Sequence, residues 1–474
     1  MPTPSLIEAR DVKLLALMGL LLTVIFISGG SSQQSGVGVL AAQLLAIPIL
    51  LYSLLQAWQT GRLRNAQLGV GALVLVVMVP WLQLLPIPSW LWDLPSTRLP
   101  LQHDLMTAGV DHLDTRWSLA PAATERAALL LLPPMAVFFA VFALGRDALR
   151  KVLWLVIVLA LFSLVLAVAQ AGAGQDSFLN PFPEYLPAMA GVFANVNHQA
   201  DTLAVALVIS VALIFDARRQ VARHGGSFAP TWILVALAAV FALALPLIGS
   251  RAGVLIVMLP LAMVAVLSSQ ITFERLRHHR PTQLSIIVAI LLLVATIFVA
   301  WGWMQVDSTV GESRWVFSKE TLQLGFANAP LGGGVGSFVP LFEHGAEVSL
   351  RLSTYLNHAH DEYAQWWLEA GILGLVVLLA VLTTLAVLLR RLIQLPRHSR
   401  LRGTAVAALA AMLIMLLHSS VDYPLRTPAL MAVFAALAGI FTSATQLVPG
   451  QAKAHAAQSS AGPRRTESAE RHSS

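Results

Sequence analysis

The side chains with the greatest capacity for chemistry fall in one stretch, Asn357-His358-Ala359-His360-Asp361-Glu362-Tyr363, followed closely by Gln365, Trp366, Trp367 and Glu369. Imidazole and carboxylate groups this close together can accept, hold or orient a proton near neutral pH. The spacing predicts a helix with His360, Tyr363 and Trp367 on one face, Asn357 capping the first turn, and Asp361 and Glu362 at the positive helix end. In that first turn the helix field disfavours imidazolium and lets His360 accept a proton, while Asp361 pushes the other way. Helix capping or an interfacial position accounts for any one of these histidines taken alone, and Trp366 and Trp367 suit a membrane–water boundary. His358 and His360 lack the i, i+4 spacing of a helical zinc pair and no third ligand is evident, so neither a metal nor a cofactor is expected.

Two arginines stand where charge is expensive. Arg251, in Gly249-Ser250-Arg251-Ala252-Gly253, falls in a tight junction between two apolar runs, and Arg314, in Glu312-Ser313-Arg314-Trp315, follows another such run. Guanidinium forks match phosphate oxygens, so the pair suggests an anionic headgroup or a pyrophosphate, with snorkelling to lipid phosphates as the plain alternative. Asn197 and His198, closing Phe193-Ala194-Asn195-Val196-Asn197-His198, could offer amide and imidazole groups to a sugar, although helix capping by Asn explains most of that segment. Leu331-Gly332-Gly333-Gly334-Val335-Gly336-Ser337-Phe338 lacks the Lys-Ser/Thr ending of a phosphate-binding loop, and a backbone-flexible turn near the substrate is expected there. His418 to Arg426 reads as a salt-bridged turn, with contact to the acceptor as the sharper alternative.

The elements that must position these groups are apolar. Of 474 residues, 57% are hydrophobic and 11% charged, and apolar stretches recur along nearly the whole length. With a mean hydropathy of +0.74, the solvent is mostly lipid. The net charge of +6 is scattered in short clusters between apolar runs, which is a topology signal and speaks against nucleic acid as a partner. With no cysteine, thiolate catalysis, disulfides and Cys-ligated zinc are excluded.

The punctuation of the apolar runs predicts an all-α polytopic membrane protein of about 12 spans: 14–30, 36–57, 67–87, 127–145, 150–172, 199–216, 229–248, 252–269, 284–304, 371–390, 404–419 and 427–443. The clusters at Arg10, Arg62, Arg150, Arg219, Arg277 and Arg391 then share one side, cytoplasmic by the positive-inside rule, as are both termini. The opposite side receives the segments 88–126, 173–198 and a large helical loop, about 305–370, between spans nine and ten. Residues 1–448 form one membrane domain, and 449–474, rich in Ala, Ser and charge, a disordered cytoplasmic tail. A multi-span transporter is the rival class. No internal repeat and few charges within the spans favour an enzyme with a loop over one face.

These segments, in this order, resemble the O-antigen ligase and polymerase superfamily. The family pattern of His, then Asn, Ser or Gln, then nine residues, then Gly-x-x-Gly is matched by His360-Asp361, nine residues, Gly371-Ile372-Leu373-Gly374, with Asp361 as the one departure. The resemblance implies a bacterial inner-membrane glycosyltransferase with a periplasmic active site. Its donor is a glycan on polyprenyl pyrophosphate, and its acceptor a saccharide: lipid A core for a ligase, a lipid-linked repeat unit for a polymerase. A protein O-oligosaccharyltransferase is a third form. On that reading His360 accepts the acceptor's proton in an inverting, metal-independent displacement. Arg251 and Arg314 hold the departing pyrophosphate, and Asn197, His198, His358, Asp361, Tyr363 and Trp367 are possible substrate contacts.

Overall fold

The computed structural model describes residues 4–33, 36–110, 115–173, 177–183, 189–224, 229–268, 309–350, 356–397 and 399–446. Its longer helices are α1 (Pro4–Ser28), α2 (Val37–Gln59), α3 (Gln67–Gln83), α4 (Arg98–Thr107), α5 (Pro121–Leu130), α6 (Leu132–Ala143), α7 (Leu149–Ala173) and α8 (Val196–His224). They continue with α9 (Ala229–Leu247), α10 (Arg251–Ile256), α11 (Met258–Ser268), α12 (Thr309–Ala327), α13 (Phe338–Gly345), α14 (Glu362–Gln394), α15 (Arg400–His418) and α16 (Pro428–Ala444). Among the described residues eight helices are long and apolar enough to cross a membrane, and Gln67–Gln83, Thr231–Leu247 and Pro428–Ala444 are shorter apolar helices. The expected all-α polytopic membrane fold is present. The span expected at 284–304 and the tail 449–474 lie outside the described residues.

Burial separates the helices by role. Along α8, 83% of the most apolar window is buried, against 17% along α14. Leu375, Val376, Leu379 and Leu382 of α14 are exposed, the pattern of a helix facing lipid. The buried α8 packs on α7, α9 and α15, and it carries the buried carboxylates Asp201 and Asp216. Its two ends differ in kind. His198 and Asp201 lie in the first turns, whereas Asp216 meets Arg150 at 2.5 Å and Arg219 at 3.6 Å near the other end. By a rise of about 1.5 Å per residue the two groups are roughly 25 Å apart.

The helix expected to run from Asn357 into the tenth span begins later and is broken once. Asp361 is its N-cap, taking the backbone N–H groups of Tyr363 and Ala364 on its side chain, and Gly371 interrupts it at φ 54°. That break exchanges main-chain partners. Ile372 N–H donates to Pro330 O at 2.9 Å, and the carbonyls of Leu368 and Glu369 accept from Gly333 and Gly334 at 2.9 and 2.8 Å. A Cβ on Gly371 would lie 2.3 Å from Pro330 O, which is why glycine is required there.

The Gly-rich segment is therefore a packed junction, and the expectation of a flexible turn is corrected. The reason is close approach: a Cβ on Gly334, at φ 100°, would lie 2.1 Å from Ser118 Oγ. Gln83 from α3 donates to Glu369 O and accepts from Val335 N–H, both at 2.9 Å. Arg98, fully buried at the start of α4, donates to Trp117 O at 2.7 Å and Gly332 O at 3.0 Å. The segment 88–126 is tied to the same junction.

Candidate active site

At the end of the bundle where α8 and α14 begin and α15 gives way to α16, polar groups converge on one carboxylate. Asp422, in the turn between α15 and α16, is fully buried. It accepts from Asn195 Nδ2 at 3.3 and 3.4 Å, from Asn197 Nδ2 at 2.5 Å and from Tyr423 N–H at 2.9 Å. Two imidazoles approach it, His360 Nδ1 at 3.4 Å and His198 Nε2 at 4.0 Å from the same oxygen. Burial opposes ionisation of this carboxyl. The contact from His360 and the neighbouring imidazoles outweigh that and hold it well below the usual carboxylate range.

Tyr423 organises the histidines. The rings of His358, His198 and His360 lie 4.4, 5.1 and 5.1 Å from its ring. Its hydroxyl bonds to the side chains of Asn357 and Asn195, and burial pushes its pKa up to about 12, so it remains a neutral phenol. Asn357 thus partners Tyr423, and the capping role expected of it belongs to Asp361.

His360 precedes the helix and has φ 54°, a left-handed conformation that costs a non-glycine residue about 1–3 kcal/mol. Its neighbours enforce it: Ala359 N–H donates to Gln365 Oε1 at 3.2 Å, and Asp361 is locked as the cap with Ser318 donating to its other oxygen at 2.7 Å. The conformation brings the ring to Asp422 with 17% of its side chain exposed. It also gives the departure at Asp361 a physical meaning. Asn, Ser and Asp are all good N-caps, so a capping carboxylate keeps the local geometry at that position.

His358 ends a second chain of contacts: Arg426 pairs with Glu369 at 2.7 Å, Glu369 accepts from Gln365 Nε2 at 2.9 Å, and Gln365 reaches His358 Nδ1 at 3.2 Å. Burial first, and then the charge of Arg426, hold His358 well below the ordinary histidine range, so it is neutral. Leu425 N–H donates to Glu362 Oε1 at 2.6 Å and Glu362 N–H to Ser419 O at 2.8 Å, fastening this turn to α14.

The remaining expected site residues divide. His198 is buried with Nδ1 2.9 Å from Thr427 Oγ1, and Asn197 binds Asp422 directly. Arg314, partly buried on α12, lies close enough for its charge to act on Tyr423. Arg251 opens α10, where Gly249 supplies the tight turn at φ 85° and Ser250 caps the helix. Gly253 packs on Ala200 in the first turns of α8, so Arg251 stands at the same end of the bundle, and no contact joins it to Asp422 among the described residues. Tyr363 and Trp367 do not share a face with His360, because His360 lies outside the helix. Tyr363 OH donates to Leu416 O at 2.7 Å, and Trp367 packs against Phe326 and Gly325 of α12. Both serve packing.

Sequence reasoning gave no site role to Gln365 or Glu369, and read Asp422, Tyr423 and Arg426 only as parts of a turn. The salt-bridged turn expected at His418–Arg426 is present in the Arg426–Glu369 pair, but the same turn carries the central carboxylate. A usable signal was Asp201, a carboxylate in an otherwise apolar run, which marks where buried polar partners gather. Asp201 bonds His418 Nδ1 at 2.5 Å beneath the cluster.

This arrangement defines a polytopic membrane protein with a buried His–Asp–Tyr centre at one end of its bundle. Residues 233–379 match the family model described as O-antigen ligase, so over that segment the chain is similar to a family whose members are membrane glycosyltransferases of ligase or polymerase type. The match contains Arg251, Arg314, His358 and His360, while Asn197, His198 and Asp422 lie outside it. No curated protein matches the chain.

Proposed function

We propose that this protein transfers a glycan from a polyprenyl-pyrophosphate carrier to a sugar hydroxyl at the outer, periplasmic face of the bacterial inner membrane, with His360 as the general base. The observation that carries the reading is the approach of His360 Nδ1 to the buried carboxylate of Asp422. A carboxylate on Nδ1 keeps the proton there, leaves the Nε2 lone pair for an incoming hydroxyl, and stabilises the imidazolium that forms. The 3.4 Å separation shortens to a hydrogen bond by a small ring movement, as catalytic contacts do when substrate is bound.

In the reaction the acceptor oxygen attacks the anomeric carbon, its proton passes to His360 Nε2, and the carbon–oxygen bond to phosphate breaks with inversion. The pyrophosphate leaves with the electron pair. Arg314, and Arg251 at the same end of the bundle, offset the negative charge that develops. The reading expects no divalent ion, and activity that survives chelation agrees with it. The decisive measurement uses purified protein and a defined lipid-linked oligosaccharide: wild type forms new glycosidic bonds, and His360→Ala, folded and inserted, forms none. Near-normal transfer by His360→Ala removes the base assignment. Movement of substrate without bond formation would establish a transporter instead.

A further inference from the structure

His358 and His360 are two residues apart and rest on the same tyrosine, yet their surroundings place their protons on different nitrogens. Gln365 sets this difference, because its amide orientation is fixed by two unambiguous partners. Its Oε1 accepts from Ala359 N–H, which can only donate, and its Nε2 donates to Glu369, a carboxylate held by Arg426. Reversing the amide would set its oxygen against that carboxylate. Gln365 Nε2 carries a second hydrogen, and among the described residues its available acceptor is His358 Nδ1 at 3.2 Å. Oε1 lies nearly as close to Nδ1, at 3.3 Å, but it already holds the Ala359 bond, and pairing it with an Nδ1–H would leave the second amide hydrogen buried without an acceptor.

From this we infer that His358 Nδ1 is an acceptor, its proton is on Nε2, and that buried, unpartnered Nε2–H is a hydrogen-bond donor to an acceptor oxygen of the glycan donor substrate. The unpartnered atom is the second support: His358 Nε2 is buried and meets no acceptor among the described residues. His360 has the opposite arrangement, with Nδ1 toward Asp422. One histidine supplies a proton to hold an oxygen while its neighbour supplies a lone pair to remove one. The network Arg426–Glu369–Gln365 sets that difference, which gives the fully buried carboxylate of Glu369 a role.

The inference rests on the proposed glycosyl transfer for its substrate, but not for its tautomers. Nitrogen-15 spectra of histidine-labelled full-length protein in detergent, with resonances assigned by loss in His358→Gln and His360→Gln, read the tautomers directly. The imine-type signal is expected on Nδ1 of His358 and on Nε2 of His360. An imine-type Nε2 at His358 overturns the inference, whether or not transfer is detected. In the transfer assay, His358→Ala should lose about 100-fold in rate, as when one transition-state donor is removed. His358→Gln, whose amide N–H can replace Nε2–H, should stay within about tenfold of wild type by the same comparison. At His360 both substitutions should be equally inactive, because an amide is no base. His358→Gln as inactive as His358→Ala, with an unchanged melting temperature, overturns the donor role. Wild type that forms no glycosidic bond defeats the proposed function while the spectra still decide the tautomers.

Discussion

The two ends of the helical bundle both bury charge, and they do so by opposite means. At one end arginines clasp helix termini: Arg402 donates to the carbonyls of Leu392, Ile393 and Leu395 at 2.9–3.0 Å, and Arg62 donates to Phe142 O and Leu144 O. These carbonyls lie at the C-terminal ends of α14 and α6, where main-chain donors run out, so each guanidinium adds hydrogen bonds at the negative end of a helix. At the other end carboxylate and imidazole groups meet one another, and among the described residues His198 Nε2 and His358 Nε2 are buried without a partner. Main-chain carbonyls fix the arginines in place, whereas a cluster of titratable side chains can take part in chemistry.

The comparison breaks most sharply at Asp422. Asp422→Asn keeps the shape but offers His360 no carboxylate, and glycan transfer should fall by roughly 10³-fold or more with little change in melting temperature, by analogy with other His–carboxylate pairs. A rate within a few-fold of wild type would show that His360 acts without Asp422. Next is Gly371→Ala, which forces a Cβ against Pro330 O at a positive φ; the expected result is a loss of about 3 kcal/mol or more in stability and loss of transfer with it. Normal melting would mean that the exchange of main-chain bonds at the kink contributes little.

Arg402→Met tests the anchoring end. Losing several charged hydrogen bonds to carbonyls should lower stability by about 2–3 kcal/mol, while the rate per folded molecule stays at the wild-type value. A selective loss of rate would contradict the separation of the two ends. The smallest effect concerns pH. His358 has a pKa held well below 6.5, so its contribution to stability is fully present above that value and is lost as pH falls below it. Wild type should therefore melt progressively lower on acidification from neutrality, and His358→Gln, which has nothing to protonate there, should show a shallower slope.

How much of this was legible in the chain follows from range. The apolar runs and the tight turn at Gly249 are local, and they read directly from composition and spacing. His360 and its distance to Gly371 were likewise visible, since both belong to one helix and its cap. Asp422 was not, because it looks like an ordinary turn residue and its partner Asn197 is 225 positions away. The face predicted for Tyr363 and Trp367 failed for a local reason: the helix starts at Glu362, so helical periodicity does not extend back to His360. The cap expected of Asn357 falls to Asp361, because Tyr423 claims the Asn357 side chain.

The kink at Gly371 has a mechanical consequence. Helices in lipid turn easily about their own axes, because methyl and methylene groups on every side present the same surface to the acyl chains. α14 faces lipid over most of its length, yet three main-chain hydrogen bonds to Pro330, Gly333 and Gly334 pin it at one height. They act as a torsional stop. Nine residues earlier the same helix ends in Glu362 and the Asp361 cap, so the azimuth at which His360 meets Asp422 is set by the protein's own backbone and is insulated from changes in bilayer thickness or composition.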